Sequence, residues 1–339
     1  MWRIIGLIGI LAMGCGDSTE TRLQRFLLQS NDLVKNQKQG QAEYYLREAL
    51  KLDSCFADAW NNLGTIYFNQ QKYPEALEYY NNAISCRPNY LNAYFNRANA
   101  AYELKEYYSA LKDIERVLKN KPDTAVAYFS QGLIYSRLRE FDRSLESFHK
   151  AMNLDRGNAE IWVNIGTVHY YKKQFDSARV TLEKAMKLDP MESHVYNALA
   201  MIEIEQGHYD EAGKLLAKAL ELKPDDAYYI NNRGYISLLT KDIEKAKEDI
   251  DQSISVDPYN GWAYRNKGIY YLETGQVEDA IRLLKQAEEM DPFIEKVYVY
   301  LGDAYIKQGN KKLGCEYLQK AFQQNELNQD ELKERCSVK

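Results

Sequence analysis

The chain has 339 residues, 45% hydrophobic and 27% charged, with a formal net charge of -5. That apolar content excludes a disordered chain, the net acidity leaves no basic field to gather nucleic acid or anionic lipid, and five Cys are too few for a disulfide-built scaffold. A mean hydropathy of -0.58 and the lack of any apolar run of about 18 residues exclude a bundle of membrane-spanning helices.

At the start of the chain, Met1, Trp2 and Arg3 precede an apolar stretch from Ile4 to Met13, followed by Gly14, Cys15 and Gly16. One early positive charge and a short apolar run have the form of a secretory signal. The small residue just before Cys15 resembles the lipobox of bacterial lipoproteins, with one departure: Leu11 stands one place earlier than the family's usual Leu, and Ala12 takes its position. The resemblance implies cleavage of residues 1–14 and a lipid on Cys15, hence membrane attachment in the bacterial envelope. Gly16 rather than Asp after the Cys is similar to outer-membrane sorting. Residues 15–22 then form a short tether, whose last seven residues reach about 25 Å when extended.

From there on, proline keeps time. Pro88, Pro122, Pro190, Pro224, Pro258 and Pro292 share one phase of a 34-residue period, leaving only Pro74 outside it. With that Pro at repeat position 32, position 4 reads Phe26, Trp60, Tyr94, Tyr128, Trp162, Tyr196, Ile230, Tyr264 and Tyr298. Position 8 is Ser, Gly or Ala throughout, and position 20 is Ala except for Ser144 and Gly314. At 100° per residue, positions 4, 7, 8 and 11 share one helical stripe, and positions 20, 24 and 27 form another on a second helix. Small residues at 8 and 20 allow close approach, and Pro ends the second helix. Pro74 suits the first turn of a second helix.

This pattern resembles the tetratricopeptide repeat family. The resemblance implies an all-α fold, a right-handed superhelical solenoid of nine tandem helix-turn-helix units spanning 23–328. Those units are 23–56, 57–90, 91–124, 125–158, 159–192, 193–226, 227–260, 261–294 and 295–328, with a C-terminal capping helix in 329–339. One helix pair cannot bury its own apolar face, so stability comes from stacking.

In that family the side opposite the signature stripe, positions 2, 5, 6, 9, 12 and 13 of the first helix, lines a concave groove that holds extended peptides or partner elements. Position 6 carries Asn62, Asn96, Asn164, Asn232 and Asn266. Nine positions drawn at the chain's own Asn frequency would hold fewer than one, and Asn is a mediocre helix former. An amide offers donors and an acceptor that match a peptide unit, so this ladder is a candidate binding surface. The alternative is that the Asn side chains are solvated or brace neighbouring repeats. Tyr102, Tyr170, Tyr171, Tyr228, Tyr235 and Trp262 join them as candidate aromatic anchors. The family's clamp for acidic chaperone tails needs Lys at position 5, which no repeat here has, so that partner is not expected.

No cofactor or metal is implied. His149, His169, His194 and His208 are scattered, without metal-ligand spacing. No phosphate-binding glycine motif or nucleophile elbow is present, and an enzyme reading has no catalytic residues to name. Beyond Cys15, the cysteines form two local groups, Cys55 with Cys86 and Cys315 with Cys336. In an oxidising envelope each could be a disulfide staple; the alternative is four independent thiols. The expected function is a non-catalytic, lipid-anchored scaffold or assembly factor that holds a protein or extended peptide in its groove. The alternatives are a structural lipoprotein whose array ends form a homodimer and, third, an enzyme accessory or hydrolase.

Overall fold

The computed structural model describes residues 18–336. The expected signal segment 1–14, the lipid-bearing Cys15, residues 16–17 and residues 337–339 lie outside the described residues. Among the described residues there are nineteen α-helices and no strand, so the fold is all-α. They form two compact units that divide after Arg156. The first unit contains α1 (Thr19–Lys35), α2 (Gln39–Leu52), α3 (Ala57–Asn69), α4 (Tyr73–Cys86), α5 (Leu91–Glu103), α6 (Tyr107–Asn120), α7 (Ala125–Arg137) and α8 (Phe141–Leu154). The second contains α9 (Ala159–Tyr171), α10 (Phe175–Leu188), α11 (Ser193–Glu205), α12 (Tyr209–Leu222), α13 (Ala227–Leu239), α14 (Ile243–Val256), α15 (Gly261–Glu273), α16 (Val277–Met290), α17 (Val297–Lys307), α18 (Lys311–Gln323) and α19 (Gln329–Cys336). Within each unit, consecutive helices pair as hairpins, and the first helices of neighbouring hairpins also touch.

The turn inside each hairpin has one design. After α1, the Gln37 N–H donates to Val34 O at 3.0 Å and the Lys38 N–H to Leu33 O at 2.8 Å, the two bonds of a Schellman cap. The same pair recurs after every other odd-numbered helix through α17. It requires positive φ at repeat position 15, which Gly207, Gly275 and Gly309 adopt freely but Gln37, Gln71, Lys105, Arg139, Lys173 and Lys241 also adopt. No residue motif marks this turn in the sequence, because the cap is made by backbone groups.

The two helices of a hairpin then meet at positions 8 and 24. A Cβ on Gly132 would lie 2.5 Å from the Phe148 ring, and one on Gly64 2.5 Å from Tyr80. Where position 8 is Ala, as at Ala98 and Ala200, the facing position 24 is aliphatic, Ile114 and Leu216. Glycine at position 8 faces a ring at Gly64 and Gly132 and an aliphatic side chain in four other hairpins, Leu182, Ile250, Leu284 and Leu318, and the position-24 partners are buried. Position 20 is so close that Ser144, in place of Ala, donates to Gly132 O at 2.8 Å.

Between hairpins the aromatic at position 4 has a polar task as well as bulk. Trp60 Nε1 donates to Ser54 O at 2.9 Å, Tyr94 to Pro88 O at 3.2 Å, Tyr196 to Pro190 O at 2.9 Å and Tyr264 to Pro258 O at 3.1 Å. Each bond satisfies a carbonyl at the turn that joins two repeats. Each unit also holds a part-buried bidentate ion pair that joins the two helices of a hairpin, Arg97 with Asp113 and Arg233 with Asp249.

Disulfides join Cys55 to Cys86, with Cα atoms 5.2 Å apart, and Cys315 to Cys336, 5.6 Å apart. The first ties the turn before α3 to the end of α4. The second holds α19 on the last hairpin, where Leu332 and Cys336 pack on its apolar cluster and Arg335 binds both oxygens of Asp303 at 2.9 Å.

Gly132→Ala should lower stability by about 1–2 kcal/mol in urea unfolding, because overpacking outweighs the gain in helix propensity. Adding Phe148→Ile, which copies the Ala98–Ile114 pair, should recover most of the loss.

Candidate functional site

The inner face is built from the odd-numbered helices, whose signature stripes are turned towards the hairpin partners. Here four of the five asparagines of the ladder bond the neighbouring first helix. Asn96 Nδ2 donates to Asn61 Oδ1 at 2.9 Å, Asn232 to Asn197 Oδ1 at 2.8 Å and Asn266 to Asn231 Oδ1 at 2.9 Å. In each case position 6 of one repeat bonds position 5 of the repeat before it, across neighbouring first helices. Asn62 donates to Asn31 Oδ1 at 2.9 Å, and Asn164 to the Glu160 carbonyl of its own helix at 2.9 Å. Asn266 is fully buried, and its Oδ1 accepts from Arg265 Nε and Nη2 at 3.0 and 2.7 Å. As a surface for an outside peptide, the ladder is therefore corrected at Asn266, and at Asn62, Asn96 and Asn232 a donor is already spent on bracing. The pairs 61/96, 197/232 and 231/266 lie 35 residues apart. That spacing, one more than the repeat, was the available signal.

The aromatic candidates divide. Tyr170 and Tyr235 are buried, so they are not open anchors; Arg265 lies over the rings of Tyr235 and Trp262, 4.6 and 4.9 Å from their centroids. Tyr102 is half-buried, and its hydroxyl accepts from Arg137 Nε at 2.9 Å. Tyr171 and Tyr228 are exposed. His194 Nδ1 lies 2.7 Å from the Tyr229 hydroxyl, which also meets the buried Ser193 Oγ at 3.0 Å. That chain of polar groups ties α11 to α13.

Two open cavities lie on the inner face of the first unit. One, of about 300 Å³, is lined by Asn61, Leu91, Asn92, Phe95, Asn96 and Val126 among others. The other, of about 160 Å³, is lined by Phe68, Asn99, Tyr102, Ser130, Leu133 and Ile134 among others. Lys121 and Glu103 are the charged residues in these linings. Asn92 and Asn99, which the sequence reading did not single out, sit one in each cavity, and neither amide is paired within the described residues. They are seven residues apart on α5, about 10.5 Å along its axis. An extended chain advances about that far in three residues.

The second unit differs. Its inner face is crossed by ion pairs of Lys173 with Glu295 and Glu205, and of Lys296 with Glu205. Tyr170 is buried beneath them, which pushes its hydroxyl pKa well above the ordinary value, with Glu295 and Glu205 adding to the rise. Burial would lower the Lys296 ammonium, but Tyr235, Glu205 and Glu295 together hold it above its usual value.

Models of the tetratricopeptide repeat match residues 57–90, 95–160, 137–202, 172–231, 227–260 and 250–282. The chain is a tetratricopeptide repeat protein. A model described as Regulator of microtubule dynamics protein 1-3 also matches residues 269–339. No curated protein matches significantly. Among solved structures, the APC/C hetero-tetramer Cut9-Hcn1 superposes with a TM-score of 0.62 at 17% identity, over 95% of this chain and 64% of that one. PilF of Pseudomonas aeruginosa superposes with a TM-score of 0.54 at 17% identity, over 62% of this chain and 96% of that one. At such identities the likeness concerns the fold.

Asn266→Ala should lower stability by about 1–3 kcal/mol, since it strands Arg265 Nε and Nη2 and Asn231 Oδ1 away from water. A lower urea midpoint is the expected readout; an unchanged midpoint would return Asn266 to the list of binding residues.

Proposed function

We propose that the protein is a lipid-anchored scaffold of the bacterial envelope whose first unit holds an extended protein segment on its inner face. The observation that carries this reading is the pair of cavities along α5, with uncommitted amides at Asn92 and Asn99 and apolar walls from Phe68, Phe95, Val126 and Leu133. Amides spaced for peptide units three residues apart hold a backbone, and the adjoining cavities take side chains. With so few charges in the lining, the favoured segment is largely uncharged where it crosses α5. Protein binding is also the general role of tetratricopeptide repeats.

The envelope address is supported by the apolar stretch before Cys15 and by two disulfides, which persist in oxidising compartments. The groove is favoured over stacking at the C-terminal end because α19 covers the last hairpin.

Protein captured from detergent-solubilised envelopes should include a partner whose recovery falls at least tenfold with Asn92→Ala/Asn99→Ala/Val126→Glu. Asn92 and Val126 are exposed and Asn99 half-buried, so the variant keeps its fold. Undiminished recovery would move the site off this face. Cys15→Ser should shift the protein from the membrane fraction to the soluble fraction and remove the lipid mass; continued sedimentation with membranes would sink the anchor.

A further inference from the structure

The junction between α16 and α17 departs from every other repeat junction in the chain. Helices α3, α5, α7, α9, α11, α13 and α15 begin at repeat position 1, and each is preceded by a residue with negative φ. By contrast, α17 begins two residues late, at Val297, and Lys296 before it has φ +61°. A lysine there is strained, since its Cβ crowds the backbone in the left-handed region. The strained turn places Glu295 and Lys296 on the inner face of the second unit.

Their contacts reach far along the chain. Glu295 pairs with Lys173, 122 residues away at the turn after α9. Lys296 Nζ lies 3.7 Å from Glu205 Oε1, and Lys173 Nζ lies 3.9 Å from Glu205 Oε2. Arg265 Nη1 donates to the Glu295 carbonyl at 2.8 Å, and the Lys296 N–H to Glu326 Oε1 at 2.6 Å. Below the four charges the Tyr170 hydroxyl is more than nine-tenths buried and has no hydrogen-bond partner. An acidic residue followed by a basic one thus reaches the turn after α9 and the end of α11. The arrangement has the form of a ligand supplied by the chain itself, and it leaves one buried polar atom that this ligand does not serve.

We propose that Glu295–Lys296 is an internal occupant of the second unit's inner face, and that this face opens to a protein segment offering its own carboxylate to Lys173 and its own cation to Glu205. The proposal rests on the reading that inner faces of this protein bind extended segments. Removing the occupant without replacement leaves Lys173 without Glu295 and Glu205 without Lys296 beside the buried Tyr170, so the face favours segments that carry that charge pair. When it is displaced, Lys296 leaves its strained conformation and α17 can begin two residues earlier, in the register of the other repeats.

Amide hydrogen exchange of residues 291–301 in the full-length protein tests the clasp. Lys173→Glu should speed exchange there at least tenfold, and Lys173→Arg, which keeps the charge, should stay within twofold of wild type; exchange in residues 57–120 is the control for intact folding. Unchanged exchange with Lys173→Glu, or equal acceleration by Lys173→Arg, overturns the clasp. A labelled peptide of residues 290–299 tests the chemistry of the occupant. It should bind Glu295→Ala/Lys296→Gly at least tenfold more tightly than wild type, and the same peptide with Glu and Lys exchanged should not. Equal binding to both proteins, or no binding to the emptied variant, overturns the partner assignment. Neither measurement involves Asn92, Asn99 or Val126, so failure here is distinguishable from failure of the first unit's groove.

Discussion

The contact between repeat positions 8 and 24 is the constraint on which the other features depend. Two helix backbones can come this close only if one side contributes almost no side chain, and the opposing ring or aliphatic group then fills the space that has been vacated. Gly132 against Phe148 and Gly268 against Leu284 are the same solution with different fillings. Once that approach is set, position 20 must also be small, and the stripe carrying 4, 7, 8 and 11 is committed to the hairpin. The opposite stripe is left to face the neighbouring first helices or solvent, and any binding function has to be built there.

How that inner stripe is used differs between the two units. In the first, Phe68, Phe95 and Val126 stand beside cavities in which the Asn92 and Asn99 amides are unpaired among the described residues. In the second, Tyr170 and Tyr235 are buried under Arg265, Lys173, Glu205 and the Glu295–Lys296 turn. Lys173 meets both Glu295 and Glu205, and Glu205 also meets Lys296, so the four ionic groups of the second unit are linked through shared partners. The cavity linings of the first unit contain no comparable set, Lys121 and Glu103 being their charged residues.

Much of this architecture was legible in the residues. Proline phase, small residues at 8 and 20 and the aromatic at 4 all report local sterics, which act within one hairpin or across one turn. Enrichment of Asn at position 6 left two readings open, peptide binding and bracing of neighbouring repeats. Asn96, Asn232 and Asn266 brace through position 5 of the preceding repeat, a pairing visible only when spacings of 35 rather than 34 are compared. Asn92 and Asn99 carried no enrichment and no motif; they matter because nothing nearby uses their amides. The Schellman turns went unnoticed because Gln71 or Arg139 at positive φ leaves no mark in composition, the bonds being made by backbone groups.

The sequence by itself determined the all-α class, the repeat period and the residues of each hairpin core, because these follow from contacts between residues a few turns apart, which recur with the period. Only the tertiary structure decided which inner-face side chains are spent on bracing, which are buried and which are open. Those outcomes depend on how one first helix lies against the next and, for Lys173 and Glu295, on bringing together residues 122 positions apart. A periodic sequence cannot show such a contact, since it arises from the one repeat junction at which the period is broken.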